Sequence, residues 1–168
     1  RYMLRDTPDG RVDLEQEIDY LENFLALHQL RFSGGLNAEL TVEGEPDGHR
    51  VAPLLLIPFV ENAFKHGVLD DPATPVRLHL RLQPGRVEFV VRNRRHGYQP
   101  DSTSGIGLGN LRRRLQLLYE GRYELETGPE GADFQARLLL YDEPAAAAPT
   151  PTARPAAAPA LAPARATA

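Results

Sequence analysis

The 168-residue chain contains no cysteine and no tryptophan. Without cysteine it can form no disulfide, thiol nucleophile or cysteine-ligated zinc site, which excludes several classes of enzyme and of small secreted domain. Long hydrophobic runs are also missing, because the longest, Val51 to Val60, contains two prolines and is too short to span a bilayer. The first residues show no signal-peptide pattern. We therefore expect a soluble globular domain.

Lysine is almost absent, and charge is distributed unevenly along the chain. Eighteen of the nineteen basic residues are arginine, Lys65 is the exception, and the formal net charge is -4. Residues 1–47 carry four basic and eleven acidic side chains, whereas residues 76–122 carry ten basic and three acidic ones. The acidic balance argues against a nucleic-acid partner, and the basic central segment favours a compact anionic ligand.

The composition changes sharply near the C-terminus. Residues 144–168 contain six prolines, thirteen alanines and almost no larger apolar side chains. Proline at this density breaks helices, and such a segment buries too little surface to offset its ordering entropy. A disordered Ala/Pro-rich tail is predicted.

Hydrophobic periodicity predicts an α/β fold for the rest. Apolar residues three and four apart predict a helix from Asp13 to Phe32, with Asp13 and Gln16 as a capping box. Further helices are predicted over the second half of 51–66, starting near Pro58, and over 108–120. Strands are predicted at 36–42, 76–82, 87–93, 123–126 and 133–141, with a turn at 128–131. The order α-β-α-β-β-α-β-β indicates an α/β sandwich rather than a Rossmann fold.

The segment PFVENAFKHG, residues 58–67, gathers polar side chains on a predicted helix. Residues three or four apart share a helix face, so Glu61 or Asn62 lies with Lys65 or His66. A carboxylate can act as a base, an amide oxygen can ligate magnesium beside phosphate oxygens, and an ammonium can pair with phosphate. This set suits a nucleoside triphosphate, and the alternative is a polar face exposed to water.

Three glycines alternate in SGIGLGN, residues 104–110, just before the predicted third helix. Glycine lets backbone amides approach phosphate, and a helix N-terminus presents unpaired N–H groups. The spacing matches neither the Rossmann fingerprint nor a Walker A loop. Phosphate binding is the functional interpretation, and a purely structural glycine loop is the alternative.

Together these motifs resemble the catalytic, ATP-binding domain of a LytS-like sensor histidine kinase. Residues 54–67 resemble its N box, residues 105–119 its G2 box and following helix, and residues 1–32 the stretch before the N box. The resemblance implies the Bergerat fold of the GHKL superfamily, a two-layer α/β sandwich whose mixed sheet carries helices on one face. It also implies that 1–35 ends a dimerisation or linker region and that 36–143 is the ATP-binding domain.

The resemblance further implies roles for individual residues in binding ATP and Mg²⁺. Asn62 would coordinate magnesium, Glu61 would polarise the attacking histidine as a base, and Lys65 and His66 would contact phosphates. The glycine-rich segment would shape the lid and the phosphate contacts through Gly105, Ile106, Gly107, Leu108 and Gly109. Residues 94–104 would form the lid.

Two departures from the family stand out. Asn93 occupies the place of the aspartate that accepts a hydrogen bond from adenine, and Gly97 is the one candidate for the glycines that normally follow. A neutral acceptor gives up the charge-assisted part of that bond, so ATP binding would be weaker by about 1 kcal/mol. The motif of the phosphoacceptor histidine is also absent. His28 is predicted to be packed or at an interface, and His49, His79 and His96 to be structural or exposed.

The resemblance implies a kinase that transfers the γ-phosphoryl group of ATP to a histidine upstream of this chain. A response regulator would then take the phosphoryl group, and the full-length protein would be a homodimer with this domain on the cytoplasmic side of an inner membrane. No nucleic-acid partner is expected. The alternatives are a related ATPase, an anti-sigma serine kinase, or a catalytically impaired nucleotide-sensing or scaffold module of the same fold.

Overall fold

A mixed five-stranded sheet and three helices make up the described part of the chain. The computed structural model describes residues 10–32, 35–95 and 105–141, with 105–107 described by their backbone alone. The helices are α1 (Leu14–Arg31), α2 (Ile57–His66) and α3 (Gly105–Leu118). The strands are β1 (Val12–Asp13), β2 (Ala38–Glu43), β3 (Arg50–Val51), β4 (Val76–Gln83), β5 (Arg86–Arg94), β6 (Tyr123–Glu130) and β7 (Asp133–Tyr141).

The main sheet has the strand order β2-β4-β5-β7-β6. Strands β2 and β4 run parallel because α2 crosses between them, and the other neighbours are antiparallel. Strands β1 and β3 pair separately as a two-residue ribbon. Apart from this ribbon, the predicted element order is confirmed, and so is the mixed α/β fold class.

Alternation along the strands gives the sheet one apolar and one polar face. In β4, Val76, Leu78, Leu80 and Leu82 are buried, while the residues between them are half-buried or exposed. The buried side joins apolar residues of α1, α2 and α3 in one core, which includes Leu14, Leu21, Phe59, Val60, Leu111 and Leu115. The described helices therefore share a single hydrophobic core with one face of the sheet.

The opposite face of the sheet carries a row of alternating charges that crosses all five strands. Arg81 contacts Glu43 and Glu88, each at 3.1 Å, and Arg137 contacts Glu88 at 2.6 Å and Glu126 at 3.3 Å. Burial raises the pKa of the Glu88 carboxyl, but hydrogen bonding and charge from Arg137, with the charge of Arg81, outweigh burial and lower it. Arginines on the two neighbouring strands thus provide hydrogen-bond donors for the buried carboxylate of Glu88.

The predicted capping box at the start of α1 does not form. Asp13 is the N-cap residue, but its side chain makes no capping hydrogen bond. Its carboxylate instead lies 3.5 Å from the guanidinium of Arg50, and the N–H of Leu14 donates to the backbone oxygen of His49 at 2.9 Å. Pairing between β1 and β3 therefore replaces the local cap.

Two predicted boundaries near the C-terminal hairpin and α3 were also wrong. Strand β6 continues to Glu130, so Gly128 and Pro129 pair with β7 instead of turning, and the turn lies at residues 131–132. Helix α3 begins at Gly105, so the glycine-rich segment forms the first turns of the helix rather than a loop before it. None of the described helices is long and apolar enough to cross a membrane.

Candidate nucleotide site

Helix α2 carries the candidate site, and its pattern of burial fixes which side chains face the core. Ile57, Phe59, Val60 and Ala63 are buried, in the spacing of one helix stripe. Pro58 lies in the first turn, where its missing N–H costs nothing. The helix ends at Gly67, whose N–H donates to the oxygen of Ala63 at 2.7 Å. The predicted buried helix is confirmed.

The polar residues of α2 lie on two different sides of this stripe. Asn62 and His66, four residues apart, are partly buried on one flank. Glu61 and Lys65 are exposed on the back of the helix. The structure therefore brings Asn62 and His66 together beside the core, whereas Glu61 and Lys65 face outward.

The other flank of α2 packs against α1. The ring of Phe64 lies 5.2 Å from that of His28, which stacks on Phe24 at 4.1 Å. Nδ1 of His28 is 3.0 Å from the backbone oxygen of Phe24. The packed role predicted for His28 is what the structure shows. Lys65 borders a cavity of about 470 Å³ at the end of this aromatic cluster.

The half-buried position of His66 affects its charge. Burial lowers the pKa of the imidazole, and the positive charge of Lys65 lowers it further. A neutral imidazole is therefore favoured near neutral pH, and it can donate or accept a hydrogen bond beside the flank that carries Asn62.

Asn93 lies at the end of β5, directly against the last turn of α2. It shares the helix-facing side of the strand with Phe89 and Val91 and is only 2% exposed. A Cβ atom added to Gly67 would lie 3.0 Å from Nδ2 of Asn93. The N–H of Val68 donates to the oxygen of Arg94 at 2.9 Å, which holds the two segments together. The glycine thus permits a close approach between α2 and the predicted adenine-binding residue.

The glycine-rich segment is described as helical backbone in α3. Leu108 is buried against the core, and Gly109 is exposed, with open space where a Cβ would lie. The backbone of Gly105, Ile106 and Gly107 belongs to the first turn of α3. Residues 96–104 of the predicted lid, Gly97 among them, lie outside the described residues.

Several arginines of the basic central segment contact the protein itself. Arg92 and Arg94 lie 2.9 and 3.1 Å from the carboxylate of Asp133. Arg112 donates to the hydroxyl of Thr127 at 2.8 Å, and Arg114 donates to backbone oxygens before α2. These contacts give structural roles to four arginines of the basic central segment.

The donor set fits a magnesium ion held together with phosphate. Asn62 offers an amide oxygen, a hard ligand of the kind that magnesium takes. Among the described residues, no group of three histidine, aspartate or glutamate side chains is arranged to hold a metal by itself. A metal at Asn62 would therefore take its remaining ligands from nucleotide phosphates and water, as magnesium commonly does.

Sequence reasoning missed Glu17, a glutamate in α1 that is 1% exposed. Its carboxylate accepts hydrogen bonds from the N–H groups of Leu54, Leu55 and Leu56, just before α2. One signal was available, because Glu17 falls on the buried stripe formed by Leu14, Leu21 and their neighbours. An acid at an apolar position of a helix needs a buried partner.

Comparison with known proteins gives these features a family context. No model of a known protein family matches the chain. The sensor histidine kinase YpdA of Escherichia coli (strain K12) is 30% identical over 164 residues, covering 83% of this chain and 29% of YpdA. The sensor protein LytS of Bacillus cereus is 29% identical over 97 residues, or 57% of this chain and 16% of LytS. The chain spans less than a third of each of these two relatives.

Solved structures share the fold at low sequence identity. The catalytic domain of the histidine kinase ThkA matches with a TM-score of 0.56 and 15% identity, covering 80% of this chain and 95% of that domain. Full-length ShkA in complex with AMPPNP matches with a TM-score of 0.55 and 21% identity, covering 77% of this chain and 30% of ShkA. By sequence, this chain is similar to sensor histidine kinases that include LytS, and its fold is that of histidine kinase catalytic domains.

Proposed function

We propose that this domain binds Mg-ATP and donates its γ-phosphoryl group to a histidine upstream in the full-length kinase. The observation that carries the proposal is the position of two amides relative to α2. Asn62 lies on the partly buried flank of α2, and Asn93 lies buried at the end of β5 against Gly67. The ATP-analogue complex of ShkA, which shares this fold, supports a nucleotide as the ligand.

Each residue is assigned a role according to its position in the site. Asn93 would accept a hydrogen bond from the adenine amino group, and His66 with Lys65 would contact phosphates. Asn62 would ligate magnesium, which when bound supplies charge neutralisation at the phosphates. Gly105, Gly107 and Gly109, with Ile106 and Leu108, would bring the backbone of α3 close to the nucleotide. Catalysis would then consist mainly of positioning and charge stabilisation.

Glu61 is proposed to act on the acceptor rather than on the nucleotide. It is exposed on the back of α2, where a helix from the same protein can approach it. From there its carboxylate would polarise the attacking histidine as a base. The response regulator, the homodimeric state and a position on the cytoplasmic side of a membrane belong to the same proposal for the full-length protein.

The proposal is tested by calorimetric titration of the chain with ATP and AMPPNP, with and without magnesium. We expect magnesium-dependent binding in the micromolar to low millimolar range. Asn62→Asp should weaken the binding of Mg-ATP at least tenfold, about 1.4 kcal/mol, because it exchanges a neutral ligand beside the phosphates for a charged one. The matched control is Asn23→Asp, at an exposed position of α1. Unchanged affinity of a folded Asn62→Asp domain would contradict the assigned role.

A second candidate function is a nucleotide-sensing or scaffold module that has lost catalysis. It is favoured by Asn93, which stands where the family has an aspartate. The two functions differ in a longer protein that includes the upstream histidine. Magnesium-dependent phosphotransfer that Asn62→Asp abolishes supports the kinase. A folded wild-type chain that binds no nucleotide at several millimolar supports the scaffold.

A further inference from the structure

The chain from Ala52 to Leu56, here named the 52–56 turn, leads directly into α2 and is held from two sides. From α1, the carboxylate of Glu17 accepts the N–H groups of Leu54, Leu55 and Leu56 at 2.6, 2.9 and 3.3 Å. Leu56 is the N-cap residue of α2. A buried negative charge therefore occupies the amino end of the helix that carries Asn62, where backbone N–H groups and the helix dipole favour an anion.

Arg114 in helix α3 and Tyr119, the residue that follows this helix, hold the same turn through two of the turn's carbonyl groups and one of its N–H groups. The guanidinium of Arg114 donates to the backbone oxygens of Pro53 and Leu54, the latter at 3.2 Å. The N–H of Ala52 donates to the hydroxyl of Tyr119 at 2.7 Å. Tyr119 is buried, so its hydroxyl stays within the protein and keeps this contact. The turn is thus bound to α1 through three N–H groups and to α3 through two carbonyl groups.

One residue of the turn has a strained backbone conformation. Leu54 has φ of +54°, a left-handed conformation that disfavours any residue with a Cβ. Its side chain is 37% exposed, so packing of the leucine does not force this conformation. In this conformation, three consecutive N–H groups point toward the carboxylate of Glu17.

We propose that Glu17 is a positioning residue for the nucleotide site, which couples the placement of α1 to that of Asn62 through the 52–56 turn. The inference rests on the proposed function. Asn62 lies in the second turn of α2, so a change in where α2 begins moves its amide directly. Asn93, in contrast, is held in β5 between β4 and β7, and the end of α2 that carries His66 is tied to β5 by the N–H of Val68, so neither depends directly on the turn.

This difference supplies a readout that a merely structural role would not change. Glu17→Gln keeps the size of the side chain but turns an amide N–H₂ toward backbone donors. We expect the affinity for Mg-ATP to fall at least fivefold, while the affinity for ATP without magnesium stays within twofold of wild type. Glu22→Gln, at an exposed position of the same helix, is the matched control and should change neither. Equal loss in both conditions, or no loss, would overturn the proposal.

A second variant covers the case in which Glu17→Gln fails to fold. Arg114→Met keeps the aliphatic part of the side chain and removes the donors from the other side of the turn. It should reduce the magnesium-dependent part of the affinity in the same selective way, and failure to do so in a folded domain would overturn the coupling.

Hydrogen exchange separates failure of this inference from failure of the proposed function. In Glu17→Gln, the amides of residues 54–62 should exchange at least tenfold faster than in wild type, while those of β4 and β5 stay unchanged. If the wild-type chain binds no ATP, the proposed function fails, and local exchange still decides whether Glu17 positions α2. Unchanged exchange across 54–62 would refute the positioning role.

Discussion

The contact between Gly67 and Asn93 makes one substitution especially informative, Gly67→Ala. Gly67 has φ of −93° and ψ of 158°, an extended conformation that alanine adopts freely. Any loss of stability in Gly67→Ala must therefore come from the added methyl group rather than from backbone strain. That methyl would lie 2.4 Å from the oxygen of Ala63, 3.0 Å from Nδ2 of Asn93 and 3.1 Å from its Cβ. Ordinary contacts between such atoms are longer than about 3.4 Å, so both neighbours must move.

The expected cost is that of overpacking a close-packed contact, about 1–3 kcal/mol of the free energy of unfolding. For a domain of this size, each kcal/mol lowers the Tm by about 3–5 °C. Displacement of Asn93 adds a functional effect, because the adenine hydrogen bond we propose for it is worth roughly 1 kcal/mol, or about fivefold in affinity. Nucleotide binding should therefore weaken with or without magnesium.

Chemical and thermal unfolding of the purified chain, followed by titration with ATP, measure both effects. The matched control is Gly128→Ala in β6, where the added Cβ meets no atom within 4 Å. That variant should be at least as stable as wild type, because alanine in a strand adds about 0.5–1 kcal/mol of stability relative to glycine. If Gly67→Ala is as stable as Gly128→Ala, the close approach of α2 to β5 is not what requires glycine, and the argument fails.

Two further predictions concern the sheet. Glu88→Gln should lower the free energy of unfolding by about 1–3 kcal/mol at pH 7, because two arginines lose their charged acceptor. The pKa of Glu88 is lowered in the folded state, so its contribution is full above the unfolded pKa and is lost as the pH falls through the folded value. Urea unfolding should show a smaller difference in stability between wild type and Glu88→Gln at pH 3 than at pH 7. An equal difference at the two pH values would contradict this prediction. Gly44→Ala should destabilise the domain more than Gly48→Ala. Both glycines have positive φ, but only at Gly44 would the added Cβ lie 2.3 Å from the oxygen of Leu82. Equal unfolding midpoints for the two variants would show that this clash has no effect on stability.

The parts of the fold that were predicted well are those with strong local periodicity. Strand β4 alternates apolar and polar residues over its whole length, β5 is rich in β-branched and aromatic residues, and the turn of Pro84 and Gly85 between them fixes the hairpin. Helix α2 combines a buried stripe with proline at its start and glycine at its end. In each case the neighbouring residues alone carry enough information to specify the element.

The errors arose where distant pairing overrode local chemistry. The residues GPEG at 128–131 read as a turn, but pairing with β7 continues through Pro129 and Glu130. Asp13 and Gln16 have the spacing of a capping box, yet Asp13 faces Arg50 on the neighbouring strand. A single sequence contains no direct record of these partners, which lie 3 to 37 residues away.

In the candidate site, too, the sequence predicted the residues that would contact a ligand but not the residue that positions their helix. Asn62, His66 and Asn93 could be named from the sequence because their side chains are the groups that would meet a ligand. Glu17 carried one signal, its place on the buried stripe of α1, but its partners could not be named, because they are backbone amides 37 to 39 residues away, and backbone amides carry no residue-specific signal. The three donors that converge on its carboxylate offset the cost of burying it. The 52–56 turn is built entirely from leucine, proline and alanine, so its polar function lies in main-chain geometry that only the folded structure reveals.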